Sequence, residues 1–142
     1  MILERRRSFR ALVVEDDTAI LRLVKTVLER EQFTVEGVTG GARAIELLKV
    51  AAYDLVILDL MMPDVGGEEV LSYLEVAQPK YLRRVILTTA SPRRFSCAFL
   101  ERICRLLEKP FDVNQLVLFA RECAAGEDCA IEPYVATLRA EG

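Results

Sequence analysis

Polar residues able to do chemistry stand where the apolar runs of this chain stop. Ala11-Leu-Val-Val14 runs into Glu15-Asp16-Asp17, and Leu55-Val-Ile-Leu58 runs into Asp59. Val85-Ile-Leu87 meets Thr88-Thr89, and Ile103 to Leu107 is followed by Glu108-Lys109-Pro110. If the runs are parallel strands, their carboxyl ends share one edge, which is where open α/β sheets bind ligands. Carboxylates crowded there repel one another, and some of their pKa values rise unless a cation is present. Mg²⁺ relieves such crowding, because it takes one or two carboxylates together with waters and phosphate oxygens. An Asp carboxylate is also a nucleophile toward phosphoryl groups. The transferred group carries negative charge that a metal, an ammonium such as Lys109 and a hydroxyl such as Thr89 can meet. The residue types therefore suit formation of an aspartyl phosphate. Taken singly, each has a plainer role: an acid after a strand caps a helix, and a lysine or threonine there belongs to a turn. Their joint placement, each at the end of its own strand, is what points to chemistry.

The elements that position these residues follow from hydrophobic periodicity. The first apolar run reads as a strand buried on both faces. Ile20, Leu21, Leu23, Val24, Val27 and Leu28 then recur at helical spacing, with Thr18 as the expected cap. Phe33 to Gly37 reads as a second strand and Ala42 to Val50 as a second helix. Leu55 to Leu58 is the third strand, and Gly66-Gly67 breaks the chain before a helix carrying Val70, Leu71 and Leu74. Pro79 ends that helix, Val85 to Leu87 is the fourth strand, and a short helix is expected after Pro92. Ile103 to Leu107 is the fifth strand, and Asp112 to Cys123 the last helix. Strands alternating with helices imply right-handed crossovers and a doubly wound parallel sheet covered on both faces. We expect a basic arm over residues 1–8, one α/β domain over 9–123, and an extension over 124–142 with a short helix near Pro133 to Arg139.

Composition limits the alternatives. The chain has 142 residues, 52% hydrophobic and 29% charged, enough for one domain and unlike a disordered segment. A net charge of −3 gives no overall attraction to nucleic acid or anionic lipid. No apolar run approaches the roughly 18–20 residues that span a bilayer, so the expected location is the cytoplasm, without membrane contact. The sequence has no histidine, which excludes a Ser-His triad and a histidine ligand within the chain. Cys97, Cys104, Cys123 and Cys129 lack CxxC spacing, which argues against zinc, and we read them as reduced thiols. The arginines at 5, 6, 7 and 10 are expected to be a solubilising arm, and Arg83, Arg84, Arg93 and Arg94 solvated surface.

The segments Ala11 to Asp17, Asp54 to Asp64 with Gly67, Val85 to Ala90 and Glu108 to Phe111 resemble the receiver domain of two-component response regulators. The resemblance covers about Arg10 to Cys123, and its D-L-M-M-P-D-x-x-G segment is highly specific. It implies a flavodoxin-like sheet of order 2-1-3-4-5. It implies Glu15 and Asp16 as the acidic pair, Asp59 as phosphoacceptor and metal ligand, and the Met61 backbone carbonyl as a further Mg²⁺ ligand. It also implies Thr89 as the switch hydroxyl and Lys109 as the phosphoryl partner, with Pro110 after a cis peptide bond. Three features depart from the pattern. Leu106 occupies the position of the usual switch aromatic, the stretch from Thr89 to Lys109 is short, and Gly66 replaces a polar residue.

The implied function is a signalling module, not an enzyme, that takes a phosphoryl group from a histidine kinase or histidine phosphotransfer protein. It would then change a contact with a downstream protein through the face of helix four, strand five and helix five, with homodimerisation open and no direct nucleic-acid binding. A haloacid-dehalogenase-type phosphatase needs a second Asp two residues after the nucleophile, where this chain has Met61. A flavodoxin needs a phosphate loop after strand one, where Glu15-Asp16-Asp17 would repel phosphate. A pseudo-receiver that binds without phosphorylation is the remaining alternative, as is a receiver fragment of a longer regulator.

Overall fold

The computed structural model describes residues 8–62, 65–91 and 96–126. Five strands alternate with five helices: β1 Arg10–Val14, α1 Thr18–Arg30, β2 Thr34–Val38, α2 Gly41–Val50 and β3 Leu55–Asp59. These are followed by α3 Gly67–Ala77, a 3₁₀ turn over Pro79–Arg84, β4 Val85–Thr89, α4 Cys97–Leu100, β5 Arg105–Glu108 and α5 Val113–Ala125. All neighbouring strands are parallel, in the order β2-β1-β3-β4-β5.

The side-chain alternation of strands divides the core into two layers. Leu12, Val14, Val56, Leu58, Leu87 and Leu106 face Ala44 and Leu48 of α2, Val70, Leu71 and Leu74 of α3, and Leu100 of α4. Ala11, Val13, Leu55, Ile57, Ile86 and Leu107 face Val24 and Leu28 of α1, with Leu116, Ala120 and Cys123 of α5. Every residue of β3 and β4 is buried, as expected for central parallel strands sandwiched between helices.

Several local readings change. The cap of α1 is Asp17, not Thr18: its carboxylate accepts from the Ala19 N–H at 2.9 Å and the Ile20 N–H at 3.2 Å. An Asp whose backbone is extended satisfies the first free amides of a helix at least as well as Thr. β2 starts one residue later than Phe33, whose ring instead packs on Phe9 with centroids 5.8 Å apart. β5 starts at Arg105 because Ile103 and Cys104 still belong to the turn entering the sheet. The chain after Pro79 winds as a 3₁₀ turn, and α5 continues past Cys123 to Ala125, where Gly126 in the left-handed conformation closes it.

The reduced-thiol reading is overturned for two cysteines. Cys104 and Cys123, both buried, form a disulfide that ties the entry of β5 to the last turn of α5. Arg105 and Glu122, one residue away on each side, add an ion pair at 2.6 Å. Arg84 is not free surface: its guanidinium donates to the Tyr53 carbonyl at 2.9 Å and lies over the Tyr81 ring. Arg83 donates to the Glu101 carbonyl. The arm over 1–7, Asp64, Arg93, Arg94, Cys129 and the expected helix near residues 133–139 lie outside the described residues.

Candidate functional site

Strand register assembles the site. Val14 pairs with Leu58, so the next residues on the two chains, Glu15 and Asp59, emerge side by side. Asp59 pairs with Thr88, and Thr89 pairs with Glu108, which places Lys109 one step beyond the edge. The Lys109 N–H donates to the Thr89 carbonyl at 2.8 Å, fixing its backbone to β4, and the Lys109–Pro110 bond is cis. The Glu15 N–H donates to the Val38 carbonyl at 3.0 Å, so this residue too has a fixed backbone.

The side chains converge. Lys109 Nζ lies 2.6 Å from Glu15 Oε1 and 3.2 Å from Asp59 Oδ2. The other Asp59 oxygen, Oδ1, accepts from the Met61 N–H at 3.0 Å. Glu15, Asp59 and Thr89 are buried, whereas Asp16 is exposed at the rim. Carboxylate oxygens of Glu15, Asp16 and Asp59 all lie within 4.8 Å of one another. Asp17 is committed to capping α1, which separates its role from that of the acidic pair preceding it. Thr89 Oγ1 accepts from the Ser91 N–H at 3.0 Å and can still donate its own proton elsewhere.

Burial and proximity divide the charges unequally. Burial, aided by a hydrogen bond with Asp59, raises the Glu15 pKa from 4.5 to about 7, against the pull of Lys109. Burial pushes Asp59 upward as well. Hydrogen bonds from Glu15 and the Met61 amide, together with the Lys109 charge, outweigh it and hold Asp59 below its ordinary value. For Lys109, burial would lower the pKa, but the hydrogen bond to Glu15 and the field of Asp59 raise it. Asp59 is therefore ionised at neutral pH beside a charged Lys109 ammonium. The residue carrying the crowding is Glu15.

All donors in the acidic group are hard oxygens, a set that fits Mg²⁺ and would suit a soft metal poorly. Glu15, Asp16 and Asp59 would hold the ion. Alongside, Ile20, Leu23, Ala90, Lys109, Pro110 and Phe111 line a cleft of about 420 Å³ that opens next to the Lys109 side chain. Leu106, opposite Leu87 on β4, is buried in the layer beneath α4 with Leu100 and Ile103. An aliphatic side chain thus fills the position where the sequence pattern leads one to expect an aromatic ring.

Comparison with known proteins gives a consistent result. A model of the response regulator receiver domain matches residues 11–121. The cell cycle response regulator CtrA of Brucella ovis is 39% identical over 71 residues, which are 50% of this chain and 31% of the relative. The chain thus spans under a third of the length of the curated relatives it matches. A sensor protein from Polaromonas sp. JS666 superposes with a TM-score of 0.73 at 28% identity, covering 84% of this chain and 98% of the other. The chemotaxis response regulator CheY4 of Vibrio cholerae superposes with a TM-score of 0.71 at 24% identity, over 82% of this chain and 99% of that one, and shares the fold. No helix among the described residues is long and apolar enough to cross a membrane.

Proposed function

The chain belongs to the response regulator receiver family, and from that membership we propose that it accepts a phosphoryl group on Asp59 from a phosphohistidine of a partner kinase or phosphotransfer protein. The observation that carries this reading is the placement of Lys109 Nζ between Glu15 and Asp59 at the carboxyl edge of the sheet. An ionised Asp59 attacks phosphorus while the P–N bond to the donor imidazole breaks, the imidazole leaving with the bonding electrons. Lys109 gives one ammonium to the oxygens of the transferred group, and Thr89 offers a hydroxyl proton. The Met61 amide holds Asp59 Oδ1 and so orients the carboxylate. Mg²⁺, held by Glu15, Asp16, Asp59 and the Met61 carbonyl, would supply charge neutralisation for a reaction that depends on positioning and electrostatics.

These 142 residues contain no histidine, so the phosphohistidine lies outside them, on a donor protein or domain. The apolar cleft beside Lys109 gives such a protein somewhere to rest while its phosphohistidine reaches Asp59. The same reading makes the chain a cytoplasmic signalling module, not an enzyme. The signal leaves through the α4–β5–α5 face to a downstream protein or a second copy of the chain. The experiment is transfer from an isotopically labelled phosphohistidine protein in the presence of Mg²⁺. Label should appear on the wild type, slow markedly on Lys109→Ala and be absent from Asp59→Ala. Equal labelling of all three would exclude this chemistry.

A further inference from the structure

The segment after Asp59 leaves the sheet and returns as α3, and at Gly66 and Gly67 its backbone is packed too closely for a side chain. A Cβ added at Gly67 would lie 2.3 Å from the Asp59 carbonyl oxygen, and one at Gly66 would lie 3.0 Å from the Met62 carbonyl oxygen. The Glu69 carboxylate holds the Gly66 N–H at 2.8 Å. At its start the loop is fixed by the Leu60 N–H donating to the Thr88 carbonyl. The outer wall comes from a different element. Gly41, the first residue of α2, donates its N–H to the Val65 carbonyl at 3.0 Å, and a Cβ there would fall 2.5 Å from that oxygen and 2.9 Å from the Gly66 oxygen. Its neighbour Gly40 has nothing within 4 Å of the same added atom. Neither glycine has a positive φ, so backbone conformation does not require glycine at either position. Contact with the loop requires it at Gly41 alone.

We infer that Gly41 is a positioning residue for the metal-binding loop, an inference that rests on the receiver reading above. Its N–H and its missing side chain set how close the Val65–Gly66 peptide stands to α2. The space beside Gly66 is closed by the Met62 carbonyl, 3.0 Å from where a Cβ would stand, so a displaced Val65–Gly66 peptide presses toward the backbone next to Met61, whose carbonyl is assigned to Mg²⁺ under the receiver reading. Supports one step behind a ligand influence metal affinity strongly. Interiors of this density pass a displacement on to their neighbours.

The test follows backbone amides of the ¹⁵N-labelled chain during titration with MgCl₂. The Asp59, Met61 and Gly41 resonances should move with one midpoint, and Gly41 should move several times further than Gly40. Gly41→Ala should weaken Mg²⁺ binding about tenfold while keeping the folded spectrum, and Gly40→Ala should bind as the wild type does. If Gly41→Ala does not fold, the wild-type titration decides the matter. Movement of Asp59 and Met61 with a stationary Gly41, or unchanged Mg²⁺ binding by a folded Gly41→Ala, overturns the inference. If Asp59 and Met61 themselves do not respond, the reading of the site as a metal site fails, and the inference falls with it.

Discussion

Glu15→Gln keeps the shape of the side chain and removes the charge for which burial outweighs the attraction of its partners. In the folded chain the Glu15 carboxyl is raised from 4.5 to about 7, first by burial and then by its hydrogen bond with Asp59. Between those values the folded state keeps a proton that the unfolded chain has released. Stability therefore falls as pH climbs through this window, and the whole penalty applies above it. The interval corresponds to at most about 3 kcal/mol at pH 8. Gln cannot ionise and can still donate to Asp59, but it gives up the 2.6 Å ion pair with Lys109. Asp59 remains 3.2 Å from that ammonium. We expect a net gain of about 1–3 kcal/mol at pH 8, or roughly 2–4 °C in Tm per kcal/mol for a chain near this size. Asp59 has the opposite sign: its lowered pKa gives stability that is present above 3.8 and lost as pH falls, so it is in place at both pH 5 and pH 8 in the wild type. The assay is urea unfolding in chelator at pH 5 and pH 8. Glu15→Gln should be more stable at pH 8, and most of the gain should vanish at pH 5. A variant less stable than wild type at pH 8, or an equal gain at both pH values, would refute the division of charge described above.

Three other outcomes follow from the same geometry. Mg²⁺ must displace the Glu15 proton, so its dissociation constant should rise about tenfold for each pH unit below 7, and calorimetry at pH 6 and 8 checks this. Reducing the Cys104–Cys123 disulfide, or Cys123→Ser, should lower stability by about 2–4 kcal/mol in urea unfolding, and alkylation of both thiols without reductant would contradict the crosslink. Beryllofluoride should change hydrogen exchange most at Ala90, Ser91 and Ser96 to Arg102, and Leu106→Tyr should leave that change in place. Identical exchange of those residues with and without beryllofluoride would move the response elsewhere.

What could be read in advance depended on how local the cause was. The apolar runs ending at Glu15, Asp59, Thr89 and Lys109 mark strand ends because a strand buried on both faces needs continuous apolar residues. The parallel order then brings the four ends together. The cap of α1 was less legible: Asp17 and Thr18 are both good caps, and only backbone geometry selects Asp17. The 19-residue separation of Cys104 and Cys123 carries no motif, because β5 and α5 bring the sulfurs together by folding back. The 3₁₀ turn after Pro79 looked like a helix end because its pattern is too short to show a period. Nor does the sequence separate Gly40 from Gly41, since the carbonyls that crowd Gly41 come from a loop more than twenty residues away. The unequal charge of Glu15 and Asp59 was likewise hidden. Crowding was legible, but which carboxyl keeps the proton depends on where the Met61 amide and Lys109 sit.

The central claim is that one carboxylate, Asp59, takes the phosphoryl group, and intact-mass and peptide-level mass spectrometry after exposure to a small phosphodonor tests it most directly. With Mg²⁺, the wild type should gain the mass of a single phosphoryl group on the peptide containing Asp59. Chelator should abolish the gain, and so should Asp59→Ala, whereas Asp54→Ala should retain it. A phosphoryl group that persists in Asp59→Ala, or that maps to Glu15, Asp16 or Asp54 in the wild type, would contradict the account.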